Sequence, residues 1–357
     1  MDPETNAKFF HPFMQSICMF IGEVLAGVVY FFEWRQKKRQ QLKVELGEEE
    51  TEKNEETKPV APEWVILGPG VLNLIATIFS YTALNMVDSS VWQISRGGNI
   101  VFTALFSRYF LKQTYSRVAI LGCLLSILGF TSVQLVAVLH SNSSSSEDAV
   151  TQVIGVVLLL LTMLFNSAGL VLEKWIFGKY EISPFKMVCL EGVIGGVVMI
   201  PLTIGFQYVP CPWSNKDNCV HINDTLRLEN INQYFHELGN SPYLLVLNLG
   251  FILSIAISIS IGMTVSKRFS PVSRSLSGVC ATTLIWLFGI IMTLTVGKTH
   301  PEYKLESTSL LVNCLKVAGF GVLVAGMLMY HELLPCFKDK AKSEEGDVKE
   351  SLIERET

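Results

Sequence analysis

Apolar residues along this chain come in blocks of about 20, and charged residues collect in the stretches between the blocks. A helix rises ~1.5 Å per residue, so about 20 apolar residues cross a hydrocarbon layer of ~30 Å. The blocks predict nine spans, near Phe13–Trp34, Val65–Met86, Val91–Leu111, Val118–Leu139, Gln152–Phe177, Met187–Phe206, Tyr243–Val265, Leu276–Val296 and Ser309–Met329. A membrane β-barrel would instead show segments of ~10 residues with alternating polarity. These runs are continuous and too long for that, so the expected fold class is all-α, a polytopic transmembrane helix bundle. The first run is also too long for a cleavable signal peptide and lacks a small-residue cleavage site.

The placement of Lys and Arg adds a direction. One set of connections holds Arg35, Lys37, Lys38, Arg39 and Lys43; then Arg108, Lys112 and Arg117; then Lys179 and Lys186; then Lys267, Arg268 and Arg274; and finally Lys338, Lys340 and Lys342. The opposite set is sparse, with none in the run Ser141–Ser146. The positive-inside rule then makes the first set cytosolic, with the C-terminus on the same side and the N-terminus lumenal or extracellular. Both N-glycosylation sequons, at Asn142 and Asn223, fall on the lumenal side of that topology.

Composition agrees: of 357 residues, half are hydrophobic and 17 % charged, which excludes an ordinary soluble domain. The net charge of −4 comes from acidic tails, and no basic, aromatic-laced stretch suggests nucleic acid. Cys18, Cys123, Cys189, Cys280 and Cys314 lie in or beside spans and read as small packing residues. Cys211 and Cys219 share the lumenal loop 207–242, where a disulfide is the preferred reading. His221 is near them, but no fourth ligand has zinc-site spacing. In the same loop Leu226, Ile231, Tyr234, Phe235 and Leu238 recur at roughly helical spacing, with Glu229, Asn230 and Glu237 on the other side. This predicts a helix lying in the membrane interface, capped by Asp224 and ended by Gly239. The stretch 37–62 and the tail 332–357 have little to bury and are expected to be disordered. Cys336, at the start of that tail, is either free or palmitoylated.

Polar and ionisable residues inside spans are expensive, so each is a functional candidate. The leading group is Gln93, Arg96 and Asn99, spaced i, i+3, i+6 on one broad helix face. Arg96 would attract an anionic group in a low-dielectric cavity. The competing reading is that it snorkels to the interface, or pairs with Glu23, Glu173 or Asp88. Glu23 sits in mid-span and needs a partner or a proton; burial raises a carboxylate's pKa, which suits it to carry one. Glu173 and Lys174 read as interfacial anchors, and Glu191 as a residue favoured by a helix N-terminus. Asn73, Asn85, Asn166 and Asn248 line a path or bond between helices. Ser254, Ser258 and Gly262 form a small-residue face that predicts close helix packing. The six histidines fall at span ends or in loops, and no HExxH, GxSxG, P-loop or intramembrane aspartate pair is present. No enzymatic activity, cofactor or metal is expected.

An internal repeat is also visible. At a constant offset Val91 falls on Val272 and Gly97 on Gly278, and the two helices concerned enter the membrane from opposite sides in this topology. Five segments carry a wider likeness: His11–Glu23 (HPFMQSICMFIGE), Tyr81–Leu111, Leu172–Phe177 (LEKWIF), Glu191–Gly196 (EGVIGG) and Val265–Gly278. In them the chain resembles the drug/metabolite transporter superfamily (EamA-like), in the nucleotide-sugar-transporter-like carriers of solute carrier family 35, subfamily F. The resemblance implies an inverted-repeat fold of ten spans with alternating access to a central cavity, in an endomembrane such as the Golgi or lysosome. Here about nine spans are expected instead of ten, since the chain starts just before what resembles the family's second helix. Residues 1–139 would form the first half of the repeat and 140–331 the second. Leu352-Ile353, after acidic residues in the tail, loosely resembles a lysosomal sorting signal.

Together these point to a secondary transporter of a small organic metabolite, such as an anionic solute or nucleotide sugar. Arg96, Gln93, Asn99, Tyr81, Asn85 and Glu23 are the expected cavity residues. The other expected partners are the lipid bilayer and a second copy of the chain. The alternative class is a membrane scaffold that binds partners and transports nothing.

Overall fold

The computed structural model describes residues 11–45, 59–84, 86–87, 89–139, 149–210, 220–222, 225–295 and 310–330. Long helices fill all nine predicted blocks: α1 (Pro12–Glu45), α2 (Leu67–Leu84, entered through a 3-10 turn at Glu63–Ile66), α3 (Ser89–Phe110), α4 (Arg117–Leu139), α5 (Ala149–Lys179), α6 (Pro184–Phe206), α8 (Pro242–Arg268), α9 (Pro271–Thr295) and α10 (Leu310–Tyr330). Between α6 and α8 lie a small hairpin, β1 (Val220–Ile222) with β2 (Thr225–Arg227), and a short helix, α7 (Ile231–Asn240). Among the described residues α1, α2 with its lead-in, α5, α6 and α8 are each long and apolar enough to cross a membrane. Along α8, Leu245, Val246, Leu249, Leu253, Ile257 and Ile261 are all exposed, a face that suits lipid and not water. The chain is a polytopic helical membrane bundle.

Three local expectations are corrected. Residues 37–45 continue α1 instead of starting a disordered loop. Gln, Lys, Arg, Leu and Glu are good helix formers, and an established helix extends without a new nucleation cost. Aromatic contacts assist at the charged end of the span: Arg35 sits 5.3 Å from the Phe31 ring centroid and Lys38 sits 5.2 Å from that of Trp34. The interface helix starts at Ile231, not after Asp224, because Thr225–Arg227 pair as a strand. Asn230 is its cap, its side chain accepting from the Gln233 amide at 3.1 Å. Asp224 itself lies outside the described residues. On α8, Ser254 and Ser258 are exposed, and the packed face carries Ser260, Met263 and Ser266 instead.

The helices gather into two compact units, each drawing on both halves of the chain. The first holds α1, α2, α5, α6, α7 and α8; the second holds α3, α4, α9 and α10. In the first, α1 runs against α6 at Gly192, where an added Cβ would lie 2.7 Å from Glu23 Cβ and 2.9 Å from the Phe20 carbonyl. A core of Ala26, Ile176, Phe177, Met187, Val188 and Met263 joins α1, α5, α6 and α8. In the second, α4 and α10 meet backbone to backbone. A Cβ on Gly122 would lie 2.6 Å from the Gly326 carbonyl, and one on Gly129 would lie 2.7 Å from that of Gly319. Such contact is the membrane solution to helix association, where close van der Waals packing replaces a hydrophobic drive.

Candidate functional site

The first unit takes three carboxylates out of solvent inside its helices: Glu23 on α1, Glu173 on α5 and Glu191 on α6 are 1 %, 4 % and 2 % exposed. Glu23 lies about 16 Å along α1 from its start, near the middle of the span. Its position against Gly192 follows from sequence: only a glycine on α6 lets the two backbones approach at that level. Glu173 lies toward the C-terminal end of α5 and Glu191 toward the start of α6, and both are buried. Lys174, next to Glu173, donates from Nζ to the Lys267 and Phe269 carbonyls at 2.8 and 2.7 Å, closing the C-terminal end of α8. Tyr81 on α2 is half-buried beside the Phe13, Phe20, Leu74 and Met199 core of the same unit, whereas Asn85 lies outside the described residues.

At the end of this unit where α1 begins, a second polar cluster is closed over by α7. His11, 2 % exposed, places Nδ1 2.6 Å from Glu229 Oε1 and Nε2 3.4 Å from Glu237 Oε2. Glu229 Oε2 accepts from the Phe13 and Met14 amides at 3.1 and 3.2 Å, so it caps the N-terminus of α1 from a distant part of the chain. The Tyr234 hydroxyl lies 3.3 Å from Cys18 Sγ and accepts from the Asn248 amide group, linking α7, α1 and α8. Burial, followed by the Cys18 hydrogen bond, pushes the Tyr234 phenol well above its ordinary range. This reverses the expectation that Glu229 and Glu237 form the wet side of the surface helix: they are buried, at 0 % and 6 % exposure, and Phe235 is exposed. Helical spacing alone cannot say which face of a short helix finds a partner, and His11, 218 residues from Glu229, gives no local signal.

At the opposite end of the same unit, α1, α6 and α8 border an open cleft of about 460 Å³. It is lined by Glu33, Lys37, Glu181, Ser183, Lys267 and Arg268 among others. Ser183 donates to Glu33 Oε2 at 2.7 Å, and Lys267 donates to the Ile182 carbonyl at 2.7 Å, so part of this rim is fixed by hydrogen bonds.

The second unit carries Gln93, Arg96 and Asn99 on α3. Asn99 is half-buried beside Ile100, which is fully buried; the Gln93 and Arg96 side chains lie outside the description. One turn on, the Thr103 hydroxyl is buried 3.2 Å from that of Ser275 on α9, and Ser107 is buried another turn along. Arg96, Thr103 and Ser107 share a helical face, so the polar stripe is longer than its three predicted members. Glu23 and Glu173 belong to the first unit and Arg96 to the second. Cys211, Cys219, Asn142 and Asn223 all lie outside the described residues.

A family model for nucleotide-sugar transporters matches residues 5–189. Over 91 % of its length the chain is 28 % identical to solute carrier family 35 member F6 of Mus musculus and 27 % identical to that of Rattus norvegicus; to that of Homo sapiens it is 26 % identical. The match covers 79 % of each relative. A solved crystal structure of another protein shares the fold, with a TM-score of 0.55 at 13 % identity, over 93 % of this chain and 92 % of that one.

Proposed function

The chain belongs to the nucleotide-sugar transporter family, within solute carrier family 35 subfamily F, and from that premise we propose that it moves a small organic metabolite across an endomembrane by alternating access. It is a membrane transporter by family. The observation that carries it is the burial of Glu23 in the middle of an apolar span. An intramembrane carboxylate costs several kcal/mol unless it is paired or protonated, and such residues mark solute or proton pathways. Glu23 is assigned the exchangeable proton, and Arg96, with Gln93 and Asn99, the anionic part of the solute. Tyr81 and Asn85 line the path. The solute class is an anionic metabolite such as a nucleotide sugar.

The Lys and Arg distribution supports a cytosolic C-terminus, and in that topology the 460 Å³ cleft is a cytosolic mouth. The end closed by α7 then faces the lumen of a Golgi or late endosomal/lysosomal compartment, with glycans on Asn142 and Asn223 and a Cys211–Cys219 disulfide on that side. Within the second unit Thr103 of α3 lies beside Ser275 of α9, so the two helices that the internal repeat relates are packed together.

The test is exchange of a radiolabelled panel of nucleotide sugars and organic anions by the purified chain in proteoliposomes. Wild type should show saturable exchange. Arg96→Ala should lose it by at least tenfold, and Glu23→Gln should retain exchange while losing stimulation by a pH gradient. Silence from well-folded wild type across the panel would favour the partner-binding scaffold.

A further inference from the structure

We propose that the cleft bordered by α1, α6 and α8, together with a groove beside it, forms one phospholipid site, which takes an anionic headgroup at Arg268 and an acyl chain along α8. The two hollows adjoin: the 460 Å³ cleft and the groove, of about 250 Å³, share Phe185, Thr264 and Arg268 as walls. Their linings differ in chemistry. Glu33, Lys37, Glu181, Lys267 and Arg268 bring charge to the cleft, whereas Phe185, Ile261, Val265 and Phe269 make the groove almost wholly apolar. The Thr264 hydroxyl donates back to the Ser260 carbonyl at 2.9 Å, so that polar group of the groove is already satisfied within α8.

The charges of the cleft are not equivalent. Lys37 lies 3.2 Å from Glu181, and Ser183 donates to Glu33 at 2.7 Å. Lys267 donates to the Ile182 carbonyl at 2.7 Å, with Nζ 5.7 Å from the Phe177 ring centroid. Arg268 is exposed, lines both hollows and forms no ion pair among the described residues. A planar guanidinium can hold a phosphate by two parallel hydrogen bonds, which a lysine cannot. Basic pockets between membrane helices hold phospholipid headgroups in this way.

Continuity with the apolar face of α8 decides the occupant. Leu249, Leu253, Ile257 and Ile261 follow one another at i+4 spacing, all exposed, and Ile261 is also a wall of the groove. A hydrocarbon chain leaving the groove therefore stays on an apolar helix face. A soluble anion would use the cleft and leave the groove empty. An apolar partner helix would use the groove and leave Arg268 unanswered. An amphiphile with a negative end and a hydrocarbon end uses both. The plainer alternative is that Arg268 only snorkels to the interface, and that role gives no preference for one lipid. Neither Glu23 nor Arg96 belongs to this site, so it stands or falls apart from the transport reading.

Native mass spectrometry of the full chain in mild detergent tests this, with dioleoyl phosphatidylserine, dioleoyl phosphatidylcholine or soluble glycerophosphoserine added at equal concentration. Wild type should retain phosphatidylserine at least about fivefold over phosphatidylcholine, and it should not retain glycerophosphoserine. Arg268→Gln should bring phosphatidylserine down to the level of phosphatidylcholine. Ile261→Gln, in the groove, should lower retention of both lipids at least about threefold. Arg108→Gln removes an exposed basic residue at the end of α3, away from the site, and should change neither. Arg268 and Ile261 are both exposed, so these variants remove no core contact and should keep the wild-type thermal midpoint. Equal retention of the two lipids by wild type would overturn the proposal without recourse to any variant. A phosphatidylserine preference that survives Arg268→Gln would sink the site as assigned. Retention of glycerophosphoserine as strong as that of the intact lipid would make it a soluble-anion site and overturn the lipid.

Discussion

The two units solve the same problem with different materials. The second joins α4 to α10 through Gly122, Ser126 and Gly129 against Gly319 and Gly326, so the backbones touch and a small hydroxyl, Ser126, hydrogen-bonds the Gly122 carbonyl at 2.9 Å. The first also brings α1 and α6 together at a glycine, but it places Glu23 against that glycine and closes one end with His11, Glu229 and Glu237. Charge inside a membrane bundle is costly, and an apolar core would be at least as stable. The α4–α10 seam, built of glycine and alkane contacts, is the frame of its unit, whose polar stripe lies on α3, against α9, instead. A unit that keeps buried carboxylates on several helices has been given something to bind or move.

If that division holds, the largest loss of stability comes from bulk in the second unit. Gly122→Leu puts a branched side chain where even a Cβ lies 2.5 Å from the Tyr330 amide, and the helices cannot part without losing the whole seam. A loss of about 3 kcal/mol or more is expected, seen as a fall in thermal midpoint and yield in detergent. Gly178 on α5 has nothing within 4 Å of its notional Cβ, so Gly178→Leu should be tolerated. Equal damage from both would mean that the seam is not what holds the unit.

Removing charge from the first unit should cost less stability and more function. Glu229→Gln keeps the shape but loses the anion that caps α1 and faces His11. About 2–3 kcal/mol is expected, with the thermal midpoint lowered and α7 exchanging faster, while α4 and α10 keep their protection. Lys174→Met comes next: it removes the donor to two carbonyls at the end of α8 and should cost about 1 kcal/mol, read from the same midpoint.

How far such differences were legible beforehand depends on range. The helical bundle was readable because each span declares itself within about 20 residues, and so was the mid-span position of Glu23. The Asn230 cap was displaced from the expected Asp224 because a three-residue strand pairing, Val220–Ile222 with Thr225–Arg227, competes for the same segment. The burial of Glu229 and Glu237 was illegible for a deeper reason. Their partner is His11, at the far end of the unit's sequence, and the pattern of α7 alone reads as apolar against polar. The α4–α10 seam was hidden too, since single glycines in an apolar run carry no hint of which helix they meet. Sequence patterns report a residue's immediate neighbours well, and they report contacts across 200 residues only when those contacts change composition nearby.

The smallest effect is the sharpest check on the idea that burial, and not charge itself, sets the first unit apart. Lys37 and Glu181 form an ion pair at 3.2 Å at the rim of the cleft, but their side chains are 68 % and 55 % exposed. Water and salt screen such a pair, and holding two long side chains in one geometry offsets much of the attraction. Glu181→Gln should therefore shift stability by no more than about 0.5 kcal/mol, and raising the salt concentration should shrink even that. The backbone bond from the Glu181 amide to the Pro59 carbonyl, 3.0 Å, is untouched by the change, so the loop geometry stays. A shift as large as that of Glu229→Gln would mean that the cleft rim is rigid and desolvated, and the contrast between buried and exposed charge in this unit would fail.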